Sequence, residues 1–140
     1  MYQDLLLATD GGEGARRATD HAIELAARLD ATLHVLSVSE EGPHSTERQD
    51  ELRHDPESEA ATAVEEAERA AAADGVSVTT TIRHGVPQEE IVEMATANGM
   101  DMIVMGTVGR SGLDALIVGS VAEEVVKNAP VPVVTVRSED

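Results

Sequence analysis

The chain has 140 residues and a formal net charge of −17 at pH 7, from 27 acidic and 10 basic residues. This length fits a single domain, residues 1–140. The only aromatic residue among Phe, Trp and Tyr is one tyrosine, so aliphatic residues and methionine must fill the core. The lack of cysteine excludes disulfides and thiolate chemistry, and the acidic excess makes nucleic acid and anionic membranes poor partners.

Two further features bear on where the protein works. The N-terminal sequence has no basic stretch, and no segment approaches the ~18 apolar residues that span a membrane, so we expect a cytoplasmic protein. Lys127 is the only lysine in the chain. Acidic excess with almost no lysine predicts adaptation to molar salt, where the Debye length falls to ~3 Å; an ordinary acidic domain is the alternative.

The first half of the chain alternates between apolar runs and helical periodicity. Residues 4–9 predict a buried strand that ends at the glycine-rich turn 10–14, and alanines at helical spacing predict a helix over 13–29. Residues 31–38 predict a second strand. Residues 39–55 hold glycine, proline and many charges, and this length exceeds an ordinary connection, which is typical of a lid or a mobile loop.

The second half continues the alternation. The predicted elements are a helix that starts at Pro56 and is ended by Gly75, a strand over 76–83, a helix over 87–98, a strand over 102–105, a helix over 120–128 and a strand over 131–136. His84 and Gly85 are expected to turn the chain after the third strand. Ser120 and Glu123 have the spacing of a capping box at the start of the last helix.

Strands and helices in strict alternation predict an α/β fold with a parallel sheet covered by helices on both faces. Right-handed crossovers make such a five-stranded sheet doubly wound. Ligands of these folds bind beyond the carboxyl ends of the strands, at a topological switch point. If the strand order is 3-2-1-4-5, that point lies between strands 1 and 4, and Thr9 and Asp10 face the segment after Gly106.

That segment, residues 103–121, has the pattern of a buried strand, a glycine-rich loop and a helix N-terminus. Glycine allows main-chain amides to approach a ligand closely, and the first turn of a helix offers unpaired N–H donors at the positive end of its dipole. A phosphate group is therefore a suitable ligand. A glycine-rich connection that binds nothing is the alternative.

The glycines Gly106, Gly109 and Gly119, followed by Ser120, have the spacing G-x2-G-x9-G-S. With the Ala-Thr-Asp-Gly turn after the first strand and the tail Ala-Pro-Val-Pro-Val at 129–133, this pattern resembles the universal stress protein family over the whole chain. The resemblance implies the doubly wound fold with strand order 3-2-1-4-5, the ATP-binding branch of the family, and a homodimer.

By position, the resemblance implies a nucleotide site formed by Ala8, Thr9, Asp10, Val38, Met105, Gly106, Gly109, Gly119, Ser120 and Val121. Asp10 could help to hold Mg²⁺ or cap the turn that follows it. The Ser120 hydroxyl could contact phosphate or cap its own helix. Val108 and Asp114 depart from the family pattern and would weaken phosphate binding. Arg110 is the only nearby cation; it either compensates for them or is a solvated surface residue.

These features predict an ATP-binding regulatory or stress-response protein that uses Mg²⁺ and has little or no turnover. A slow ATPase or nucleotide hydrolase is the alternative, although it needs a water-positioning residue and a second cation. A phosphorylatable receiver domain is disfavoured because the third strand ends at Arg83 and His84 without an acceptor aspartate. An uncharged edge strand at Val131 to Val136 predicts association into a homodimer.

Overall fold

The computed structural model describes residues 2–40, 56–107 and 119–137, in which strands and helices alternate. The elements are β1 (Asp4–Ala8), α1 (Glu13–Leu29), β2 (Thr32–Glu40), α2 (Pro56–Ala73), β3 (Val78–Gly85), α3 (Pro87–Ala97), β4 (Met102–Gly106), α4 (Ser120–Asn128) and β5 (Val133–Val136). Every strand pairing is parallel, and the sheet order is β3-β2-β1-β4-β5. The predicted doubly wound sheet with order 3-2-1-4-5 is confirmed.

The central strand β1 is buried on both sides of the sheet. Leu5 and Leu7 belong to the apolar cluster that packs against α1 and α2, whereas Leu6 and Ala8 belong to the cluster that packs against α3 and α4. Because successive side chains of a strand point to opposite faces, a continuous apolar run is what two covered faces require. We call these two sides of the sheet the α1/α2 face and the α3/α4 face.

Small residues allow the helices to approach the sheet closely, which compensates for the lack of aromatic residues. The buried residues of α1 include Ala18, Ala22 and Ala26, which recur every fourth position. Helix α2 buries Ala67 and Ala71 at the same spacing.

In the parts of the chain that the structure describes, no helix is long and apolar enough to cross a membrane.

The predicted bounds of β2 and β3 are wrong by up to two residues. Strand β2 continues through Ser39 and Glu40, which were expected to begin the long loop, because β3 extends alongside it and pairs these residues with His84 and Gly85. His84 and Gly85 therefore lie in the strand instead of turning the chain. The other residues of the predicted loop, 41–55, fall outside the described residues.

The start of β3 is displaced because the chain first completes the end of α2. The Val76 amide donates to the Ala71 carbonyl at 3.0 Å, and the Gly75 amide donates to Ala72 at 3.0 Å. With Gly75 at a φ of +72°, this is a Schellman ending, and the buried Val76 is its apolar contact.

The predicted start of the last strand at residue 131 is also wrong, since β5 begins only after Pro132.

A single carboxylate ties the beginning of β4 to the beginning of β1. The Asp101 carboxylate accepts hydrogen bonds from the main-chain amides of Gln3 at 2.9 Å and Asp4 at 3.0 Å. These two bonds favour the charged form, so the pKa of Asp101 is lowered below its usual value of 3.8.

We expect Asp101→Asn to lower the melting temperature at neutral pH, because the amide oxygen can still accept a bond but carries no charge. A lowered folded-state pKa contributes stability above the unfolded-state pKa, and that contribution is lost as pH falls through the folded-state value. The difference between the variant and the wild type should therefore shrink as the pH is lowered below 3.8. Thermal unfolding monitored by circular dichroism at a series of pH values measures it; a difference independent of pH would contradict this role.

Candidate functional site

A cavity of about 250 Å³ opens where the carboxyl ends of β1, β2 and β4 meet. Its position is the switch point of the sheet, because β1 pairs with β2 on one side and with β4 on the other. The described residues that line it are Ala8, Thr9, Asp10, Ala15, Leu36, Val38, Glu40, Pro87, Ile91, Met105, Gly106, Thr107, Gly119, Ser120, Val121 and Ala122. The structure thus brings together the predicted site residues that it describes, whereas Gly109 and Arg110 lie outside the described residues.

One wall of the cavity is apolar and continuous with the core of the α3/α4 face. Ala8, Leu36 and Met105 extend from the ends of three neighbouring strands, and Ile91 of α3 packs into the same cluster. Val38, one of the predicted site residues, lies two residues after Leu36 on the same face of β2 and lines the cavity. This wall can accept a flat apolar group.

The turn after β1 is held by its own side chains. The Gly11 amide donates to Thr9 Oγ1 at 3.1 Å, and the Gly12 amide donates to Asp10 Oδ1 at 2.8 Å. Gly11 has a φ of +79°, which a residue with a side chain adopts only at a cost. Asp10 therefore caps the turn, as one of its two predicted roles requires.

The other side of the cavity is the N-terminus of α4. Gly119 is the N-cap, with φ −65° and ψ 156°, and its carbonyl accepts from the Glu123 amide at 3.0 Å. The Gly119 amide itself donates to the Thr107 carbonyl. Helix geometry leaves the amides of the next residues, Ser120, Val121 and Ala122, without acceptors inside the helix.

The capping box predicted at Ser120 is wrong. Ser120 is the first residue of the helix rather than its cap, and α4 has no side-chain hydrogen bond at its N-cap. The hydrogen bond from the Gly119 amide to the Thr107 carbonyl fixes the main chain at Gly119, one residue before Ser120. The main-chain donors at the start of α4 are thus those of residues 120–122, which line the cavity, whereas the Gly119 amide donates to Thr107.

The electrostatics of the cavity are unusual for an anion site. Among the lining residues that the structure describes, the charged ones are Asp10 and Glu40, and none is lysine or arginine. A phosphate group here would be held by neutral main-chain and hydroxyl donors and by the dipole of α4. No cluster of three or more histidine, aspartate or glutamate side chains that could hold a metal lies within residues 2–40, 56–107 and 119–137.

Sequence reasoning missed several lining residues. Leu36 could have been found from the alternation of β2, since it shares a face with Val38. Glu40 was missed because β2 was expected to end two residues earlier. Thr107 directly follows Gly106, but a hydroxyl next to a glycine gives no signal of its own without the structure.

The fold and this cavity define a class of protein, a doubly wound α/β domain with a ligand site at its switch point. A family model described as the Universal stress protein family matches residues 1–137. The chain belongs to the universal stress protein family.

Individual relatives agree with this assignment. Universal stress protein MJ0531 of Methanocaldococcus jannaschii is 36% identical to this chain over 144 residues, which cover 98% of this chain and 83% of that protein. The solved structure of MJ0577 from the same organism has a TM-score of 0.84 and 31% identity, and covers 100% of this chain and 99% of that one. A universal stress protein crystallised in complex with cAMP has a TM-score of 0.75 and 27% identity, and covers 99% of each chain.

Proposed function

We propose that the chain is a single nucleotide-binding domain that takes up ATP with Mg²⁺ in this cavity and serves a regulatory role in a stress response. The observation that carries the proposal is that an apolar wall and the first amides of α4, which have no acceptor inside the helix, border one cavity. The wall would hold the adenine ring between Ala8, Val38 and Met105, and the amides of Ser120 and Val121 would hold phosphate oxygens. The cAMP complex of a relative supports an adenine nucleotide as the ligand class.

Mg²⁺ is part of the proposal because of the charge of the site. Asp10 and Glu40 line the cavity and would repel a triphosphate. In nucleotide sites Mg²⁺ commonly takes one or two carboxylates together with phosphate oxygens and water, and the residues present fit that donor set. We propose that the Asp10 carboxylate approaches the Mg²⁺ ion, and that the ion neutralises part of the phosphate charge.

We propose that the protein binds ATP without significant turnover. Phosphoryl transfer needs a positioned water and a cation that stabilises the departing charge, and the lining residues described by the structure supply carboxylates but no cationic side chain. We expect a steady-state rate far below ~1 s⁻¹, the low end of ordinary turnover numbers. A rate at or above that value would favour the alternative of an ATPase.

The proposal is tested by isolating the protein in molar KCl and identifying the nucleotide released on denaturation by mass spectrometry. We expect an adenine nucleotide in an amount comparable to the protein. A preparation that releases no nucleotide and takes up none from added ATP would contradict the proposal.

We further propose a homodimer formed through β5, within the predicted segment Val131 to Val136. Strand β5 is an edge of the sheet. The Pro132 carbonyl accepts from the amide of Ile103 in β4, and the Val136 carbonyl accepts from the amide of Thr107, the residue that follows β4. Because successive main-chain groups of a strand point to opposite sides, those of Val133 and Thr135 point to the open edge, which is a template for a second copy.

Thr135→Pro is expected to weaken the dimer at least tenfold, because it removes an outward N–H group and leaves the β4 pairing in place. Sedimentation velocity at micromolar protein in molar KCl measures the change. Thr135→Val keeps the N–H group and is the matched control. A wild-type protein that sediments as a 14.7 kDa species, or a proline variant that stays fully dimeric, would contradict the proposed interface.

A further inference from the structure

One buried hydroxyl near the cavity is not satisfied within the protein. Thr107 is 5% exposed, and its Oγ1 has no hydrogen-bond partner within the described part of the chain. Buried polar side-chain atoms almost always have a partner, since an unpaired one keeps its full desolvation cost. Thr107 Oγ1 is the only buried side-chain oxygen or nitrogen atom in residues 2–40, 56–107 and 119–137 that lacks one.

The main chain fixes where this hydroxyl lies. The Thr107 amide donates to the Val136 carbonyl at 3.0 Å, and the Thr107 carbonyl accepts from the Gly119 amide. Thr107 is the residue after β4, and its bond to Val136 extends the pairing with β5, so its side chain lies on the same side of the sheet as that of Met105, the α3/α4 face. Thr107 lines the same cavity as Met105 and Ser120.

The position within the cavity indicates which part of a ligand would satisfy it. The bond from the Gly119 amide places Thr107 beside the N-terminus of α4. That end of the cavity has main-chain donors but, among the described lining residues, no cationic side chain. A hydroxyl donor there would add to a limited set of groups that can hold an anion.

We propose that the Thr107 hydroxyl donates a hydrogen bond to a phosphate oxygen of the bound nucleotide, and thus is a binding residue of the site. This inference rests on the proposed function. It explains why a hydroxyl is tolerated at a buried position without a partner in the protein, because the ligand supplies the acceptor.

The test compares Thr107→Val, which keeps the β-branched shape, with Thr107→Ser, which keeps the hydroxyl. Calorimetric titration in molar KCl with Mg²⁺ is expected to show about tenfold weaker ATP binding for the valine variant. The serine variant should stay within about threefold of the wild type, and adenosine, which lacks phosphate, should bind all three proteins alike. Without ligand, the valine variant should unfold at a temperature equal to or above that of the wild type.

The outcomes separate this inference from the proposed function. Failure of the wild type to bind ATP would overturn the proposed function itself. Wild-type binding with an unchanged valine variant, or an equal loss for ATP and adenosine, would overturn only the role of Thr107. A valine variant that melts well below the wild type without ligand would show that the hydroxyl has a structural partner.

Discussion

Replacing Ser120 by proline is expected to weaken ATP binding by about 10- to 100-fold while the protein stays folded. Ser120 is the first residue of α4, a position where proline is favoured because its missing N–H has no partner inside the helix. The preceding Gly119 already has the extended conformation that a following proline requires. The variant therefore removes the side-chain hydroxyl and the main-chain N–H group that we propose as a donor to phosphate, and a hydrogen bond to a charged group contributes about 1.5–3 kcal/mol.

Ser120→Ala is the matched control, since it removes the hydroxyl and keeps the amide. We expect a loss of less than tenfold for alanine, measured by the same calorimetric titration, and no change in adenosine binding for either variant. Far-ultraviolet circular dichroism and the melting temperature should stay close to the wild type. Equal ATP affinities for the proline and alanine variants would contradict a role for main-chain amides.

Transfer from molar to millimolar KCl is expected to unfold the protein. The acidic residues that give the net charge of −17 repel one another over distances set by the Debye length. This length grows from ~3 Å at 1 M salt to ~30 Å at 0.01 M salt. Circular dichroism during stepwise dilution should show a cooperative loss of helix signal. A spectrum that is unchanged between the two conditions would contradict adaptation to high salt.

Two controls separate charge screening from other effects of salt. Sucrose at matched water activity should not keep the protein folded in place of KCl, because sucrose does not screen charge. Glu68 is exposed on α2, one turn after Glu65, so Glu68→Gln and Glu68→Lys should lower the KCl concentration at the unfolding midpoint, the lysine variant more. Midpoints that do not follow this order would argue against self-repulsion as the cause.

The element order could be predicted because each kind of element leaves a local signal. Three adjacent leucines in β1 indicate a strand buried on both faces, and Leu5, Leu6 and Leu7 are all fully buried in the structure. The start of α4 at Ser120 was predicted from the serine itself, although not as the cap that was expected, and the end of α2 was predicted from Gly75. These signals depend on conformations or burial that only a few residue types satisfy.

Element bounds at the sheet edge could not be predicted, because they depend on pairing with a distant strand. Glu40 lies in β2 only because β3 runs beside it as far as Gly85. Val76 is apolar and β-branched, like a strand residue, yet it completes the end of α2. In each case a tertiary contact determines the local conformation.

The candidate site was predictable where it depends on the main chain and less so where it depends on individual side chains. Gly106, Gly119 and Asp10 were predicted through the resemblance to the family, and the cavity that they line lies at the predicted switch point. The buried state of the Thr107 hydroxyl depends on how β4, β5 and α4 meet, which no local pattern encodes.

We propose that main-chain amides at the start of α4 hold the phosphates of an adenine nucleotide in a strongly acidic protein. Titration calorimetry of the wild-type protein with ATP, in molar KCl with Mg²⁺, tests it most directly. We expect saturable binding of one ATP per chain, and weaker binding of adenosine. Absence of measurable ATP binding, or adenosine binding as tight as ATP, would contradict it.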